Sequence, residues 1–111
     1  MSAPPDVFQA IADPTRRRII DLVAQGPLNV GRIAQEFDIT RQAVSLHVQL
    51  LRDAGLVSIE KRGRQRICKP QLQKLAEVTD WVDEYCRHWD KQFDALEDYL
   101  AKLQQNQDKH E

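Results

Sequence analysis

The chain has 111 residues, a net charge of −1 and a pI near 6.3, the profile of one small domain whose apolar surface a second copy would help to cover. It contains no apolar run of membrane-spanning length, no Gly-rich phosphate loop, no nucleophile elbow and no pair of carboxylates flanked by a base, which excludes a membrane span and argues against an enzyme. The overall acidity does not exclude nucleic acid, because residues 1–70 carry +4 and residues 71–111 carry −5, and the local field governs short-range binding.

After a short lead, Met1–Pro5, the residues Val7, Phe8, Ile11 and Ala12 recur at helical spacing and predict a first helix. It ends at Asp13-Pro14, where aspartate caps and proline opens a second helix. Ile19, Ile20, Leu22 and Val23 form the apolar side of that helix, and Gly26-Pro27 stops it. Asn29 caps a third, short helix through Ile33, Ala34 and Phe37; Asp38-Ile39-Thr40 then makes a tight turn, with Thr40 capping the fourth. Two helices joined by so short a turn form a helix-turn-helix candidate.

On the fourth helix, Ala43, Val44, Val48, Leu50, Leu51 and Ala54 share one broad face. The opposite side carries Gln42, Ser45, Leu46, Gln49 and Asp53, with Arg41 and Arg52 on the flank. A face that is polar but uncharged at its centre and cationic at its margins suits base reading with phosphate anchoring. Glutamine pairs bidentately with adenine, and serine accepts several base edges. Leu46 is either a thymine-methyl contact or incidental surface. His47, at the edge of the apolar face, reads as a hydrogen-bonded structural histidine rather than a ligand or catalyst.

Leu56–Arg62 and Gln65–Lys69 read as two strands, Val57 and Ile59 alternating with Ser58 and Glu60, turned at Gly63. This hairpin, with Lys61, Arg62, Arg64 and Arg66, grips phosphate or else is a solvated loop kept soluble by charge. Past Pro70 there is neither Gly nor Pro, and Leu75, Val78, Val82, Tyr85, Trp89, Phe93, Leu96, Leu100 and Leu103 repeat at steps of three and four, widened by Trp81 and Tyr99. A helix over 71–105 follows, roughly 50 Å long at 1.5 Å per residue, and too long for one small domain to cover. Residues 106–111 read as a polar tail.

Cys68 and Cys86 show no C-x-x-C spacing and no secretion signal precedes them, so free thiols in a reducing cytoplasm are expected. Cys86 reads as a small hydrophobe buried in the stripe. Glu84 and His88 stand one helical turn apart, but two ligands without a second histidine make a thin metal site. His47, His88 and His110 lie on different elements. No cofactor is expected.

The chain resembles the ArsR family of bacterial winged-helix transcriptional repressors. Three parts carry the likeness: Phe8-Gln9-Ala10-Ile11-Ala12-Asp13-Pro14-Thr15-Arg16-Arg17, the run Ala43-Val44-Ser45-Leu46-His47 with Leu51 and Ala54-Gly55-Leu56-Val57, and the basic wing. The fold implied is mainly α with a small β-hairpin wing, in the order α-α-α-α-β-β-α, as a single domain over 1–111 with its DNA-binding core at 7–70. Metal-sensing members carry cysteines on the third or fourth helix, or acids and histidines on the last. No thiol lies between Asn29 and Leu56 here, and the tail with Trp81, Tyr85, Trp89, Leu96, Tyr99 and Leu100 looks like the branch lacking a metal site.

The resemblance implies a homodimer built on the first and last helices and bound to a pseudo-palindromic operator on double-stranded DNA. The expected DNA-binding set is Thr40, Arg41, Gln42, Ser45, Leu46, Gln49, Arg52, Arg62, Arg64 and Arg66. The expected dimer set is Phe8, Trp81, Tyr85, Trp89, Phe93, Leu96 and Leu100. Two readings compete: a winged-helix module binding another protein through its acidic aromatic last helix, and a repressor responsive to thiol chemistry or metal through Cys68, Cys86 or His88. The effector, if there is one, is not legible in the sequence.

Overall fold

The computed structural model describes residues 3–108, with side chains through residue 106. Met1, Ser2 and the tail from residue 109, including His110, lie outside the described residues. The elements run α1 (Val7–Ile11), α2 (Pro14–Ala24), β1 (Leu28–Asn29), α3 (Val30–Gln35), α4 (Arg41–Asp53), β2 (Val57–Arg62), β3 (Gln65–Pro70), a 3₁₀ turn at Leu72–Leu75 and α5 (Ala76–Asp108). The chain through Val78 forms one compact unit, and the rest of α5, from Thr79, forms a second.

In the first unit, side-chain caps set the helix starts. Asp13 accepts from the Arg16 N–H at 3.0 Å with Pro14 in the first turn, Asn29 accepts from Gly31 N–H at 2.8 Å, and Thr40 Oγ1 accepts from Ala43 N–H at 3.1 Å. Each satisfies an otherwise orphaned donor, worth about 1 kcal/mol. Val44, Val48 and Leu51 of α4 are buried against Ile19 and Val23 of α2, Ile33 of α3 and Leu56, which closes the core.

α4 ends in a Schellman turn: Leu56 N–H reaches back to Leu51 C=O at 2.9 Å and Gly55 N–H to Arg52 C=O at 2.9 Å, with Gly55 at φ +81°. The commitment of Leu56 N–H to this turn is why β2 begins at Val57 and not at Leu56. A side chain at residue 55 would meet both an unfavourable φ and the Lys74 side chain, whose Cδ stands 2.9 Å from the Cβ position. Gly55→Ala is expected to cost about 1–2 kcal/mol of stability, read as a shifted midpoint in urea unfolding without a change in slope.

The sheet differs from the expected hairpin. It has three antiparallel strands in the order β1-β3-β2, with Leu28 opposite Cys68 and Asn29 opposite Ile67. β1 gives the inner edge of β3 a partner, and a two-residue strand has no periodicity to betray it. The last helix also starts later than residue 71. Gln71 is non-helical at φ −134°, ψ 73° and its N–H is held by Leu56 C=O at 2.8 Å, so a 3₁₀ turn intervenes and the α-helix begins at Ala76. It continues through Asp108, past the expected end near residue 105, so the first residues of the polar tail are helical.

The two thiols differ. Cys68 is buried in β3, where desolvation raises its pKa to about 11. Cys86 is exposed on α5, which corrects the expectation that it is buried in the stripe. In this chain the flanks of the α5 stripe face solvent as well as its centre. Cys68 is therefore expected to resist an aromatic disulfide reagent at pH 8 in the native protein and to react only on unfolding, so its labelling rate follows global opening.

Candidate nucleic-acid interface

α3 and the tight turn 36–40 present α4 with one face sunk in the core and the other outward. Thr40 caps the start, and Arg41, Gln42 and Leu46 are exposed, Leu46 at 67%. Ser45 and Gln49 are half-buried at the margin of the same face. Arg41, Gln42, Ser45 and Leu46 together line a shallow hollow, and Leu46, Gln49 and Asp53 line a second with Gln9 and Arg16. Arg41 reaches back over α3, where its Nη2 stands 3.3 Å from the point a Cβ at Gly31 would occupy. Arg52, at the far end, pairs with Asp53 at 3.4 Å, an exposed contact of little energetic weight.

The wing turns at Gly63, φ +61°. Its cations are not equivalent. Glu60 accepts from both Lys69 and, at 3.4 Å, Arg62, and these contacts hold its carboxyl below the usual range. Among the described residues Lys61, Arg64 and Arg66 meet no carboxylate, so the uncompensated positive charge sits at and beside the tip. The partial neutralisation of Arg62 was legible in principle, since residues two apart on a strand share a face.

Of the expected dimer set, Phe8 lies exposed on α1 in the first unit. Trp81, Tyr85, Trp89, Phe93, Leu96 and Leu100 all lie on α5 in the second unit and are 51–58% exposed. Their rings already pack along the helix, Trp81 edge-on to Tyr85 with centroids 4.9 Å apart and Trp89 tilted on Phe93 at 5.9 Å. Val82, Tyr99 and Leu103 are exposed on the same helix. No helix among the described residues is long and apolar enough to cross a membrane.

Arg16 and Arg17 carry a role that their place in the sequence motif does not reveal. Arg16 Nε donates to Ala10 C=O at 2.8 Å and Nη2 to Gln9 C=O at 2.9 Å, while Arg17 Nη1 donates to Ile11 C=O at 2.7 Å. These arginines fold back to satisfy the last carbonyls of α1, a five-residue helix too short to stand on its own propensity. His47 Nδ1 lies 3.3 Å from Arg16 Nη1, in keeping with its expected structural role.

Residues 11–60 match the helix-turn-helix domain family. The chain is 41% identical over 77 residues to the transcriptional repressor SdpR of Bacillus subtilis, covering 69% of this chain and 86% of that relative. It is 36% identical over 83 residues to the HTH-type transcriptional regulator Rv2034 of Mycobacterium tuberculosis, covering 75% of this chain and 78% of the relative. Among solved structures, an ArsR family transcriptional regulator superposes with a TM-score of 0.70 at 34% identity, covering 75% of this chain and 91% of that one. An ArsR-like regulator from Rhodococcus sp. RHA1 shares the fold at a TM-score of 0.73 and 24% identity, over 86% of this chain and 88% of its own. With a relative this similar over most of its length, a neighbour of the same architecture and the expected motifs in place, the chain belongs to the ArsR family of winged-helix transcriptional regulators.

Proposed function

We propose that the chain is a homodimeric, cytoplasmic repressor that binds a pseudo-palindromic operator, with one α4 in each of two successive major grooves. The observation that carries this reading is the division of α4 into a buried apolar face and an outward face of Gln42 and Leu46 with Ser45 and Gln49 half-buried at its margin, followed by a cationic wing on the next two strands. Gln42 and Gln49 read adenine edges, Ser45 a neighbouring base, and Arg41 and Arg52 the flanking phosphates. Phe8 and the α5 stripe pair two copies, and the dimer blocks polymerase sterically.

Selection of bound duplexes from a random pool tests this directly. Two inverted half-sites about 10 bp apart, centre to centre, or a multiple of that, are expected. Absence of any enriched symmetric site overturns it.

The wing has its own test. Arg64→Ala is expected to weaken binding to all sequences alike and to lower the salt slope by about one phosphate contact per subunit. Arg62→Ala, whose guanidinium Glu60 already engages, is expected to do less. Equal slopes for the two variants, measured by gel shift from low to moderate salt, would contradict this ranking of the cations.

A further inference from the structure

The Arg16 guanidinium touches three things that no short-range rule of sequence would bring together. Its Nε and Nη2 hold the Ala10 and Gln9 carbonyls at 2.8 and 2.9 Å, and its Nη1 meets His47 Nδ1 at 3.3 Å. A guanidinium has donors only, so in this contact Nδ1 is on the accepting side. Arg16 is itself fixed at its backbone, where its N–H is held by the Asp13 carboxylate at 3.0 Å. At its other end α1 is closed by a reciprocal cap, Gln9 N–H to Asp6 Oδ1 at 2.7 Å and Asp6 N–H to Gln9 Oε1 at 3.1 Å. The short helix that exposes Phe8 is thus bonded through one planar side chain to α4 at the residue beside Leu46.

We propose that Arg16 is a positioning residue that sets the angle of α4 relative to α1, and thereby the distance between the two reading helices of the dimer. The inference rests on the proposed function, because it needs α1 at the subunit contact and α4 in the groove. A fixed fork suits this task. The planar guanidinium bonds two carbonyls and a ring nitrogen at set angles, whereas a lysine ammonium at the same place keeps the charge without that geometry. One base pair of separation changes both the span and the helical phase of two half-sites, so a rigid connection between dimer contact and reading helix would appear as a sharp spacing preference.

The experiment uses the full chain, the selected operator, versions with one or two base pairs inserted or removed between half-sites, and a duplex bearing one half-site. Wild-type protein is expected to lose about tenfold or more when the spacing is wrong, since simultaneous engagement is then forbidden. Arg16→Lys and His47→Leu are expected to flatten that profile or move its optimum, with affinity for the single half-site within about twofold of wild type. His47→Asn, which restores an acceptor near the Nδ1 position, is expected to recover the wild-type profile. A wild-type profile in Arg16→Lys and His47→Leu overturns the proposal, as does a loss on the single half-site equal to the loss on the operator. A wild-type protein that binds the half-site but shows no spacing preference sinks the dimer reading itself, and the proposal with it.

Discussion

Trp89→Asp or Leu96→Asp is expected to convert the proposed dimer to monomers and to lower affinity for a two-half-site operator by about 10²–10⁴-fold, the gain that linking two weak binding events confers. Both side chains are more than half exposed in the single chain, in a run with Trp81, Tyr85, Phe93 and Leu100 on one helix. Large aromatic groups at that density form a patch that a monomer rarely leaves open. In a two-fold interface every substitution occurs twice, so one aspartate per chain places two carboxylates in an apolar contact and strips the area of two large side chains from it. The stripe belongs to the second unit and the reading helix to the first, so helical content and half-site binding of the first unit are expected to survive. Sedimentation velocity reads the mass and gel shift the affinity. A variant that stays dimeric removes α5 from the dimer contact, and a monomer that binds the full operator as wild type does removes dimerisation as the source of operator affinity.

The parts of this fold legible in the sequence are those with local causes. Asp13, Asn29 and Thr40 cap helices where expected, because a cap is a contact over two or three residues. The buried face of α4 follows from its period, which the structure keeps at Val44, Val48, Leu51 and Ala54. What escaped the sequence depends on residues far apart in it. β1 exists because Leu28 and Asn29 find Cys68 and Ile67, and the delayed start of α5 because Gln71 N–H finds Leu56 C=O. The Arg16 to His47 contact spans 31 residues. Cys86 departs from expectation for a different reason. Helical periodicity places a residue on a face but does not say whether anything lies against that face, and in the single chain Cys86 is exposed.

Gln42→Ala is expected to relax discrimination at one base pair of each half-site by about 1–3 kcal/mol, roughly 5- to 150-fold, while changing affinity for random duplex little. Gln42 is exposed at the start of α4, beside Leu46 and Ser45 in one hollow. On the proposed docking a glutamine amide there is placed for an adenine N6/N7 edge, with Arg41 beside it in the same hollow for the flanking phosphate. Leu46 gives the same helix a second, separable signal, for at 67% exposure most of its side chain faces outward and gains further burial where DNA offers an apolar group. In the major groove of unmodified DNA the prominent group of that kind is the thymine methyl. Replacing thymine by uracil along the operator, one position at a time, deletes that methyl and leaves every hydrogen-bonding edge intact. A loss of about fourfold, from roughly 0.8 kcal/mol for one carbon removed from water, is expected at a single position per half-site. Leu46→Ala should abolish the difference between thymine and uracil there, whereas Gln42→Ala should leave it unchanged, because the two side chains address different base pairs. Uniform loss across sequences for Gln42→Ala, or a uracil effect that persists without Leu46, would mean that α4 does not read DNA through this face.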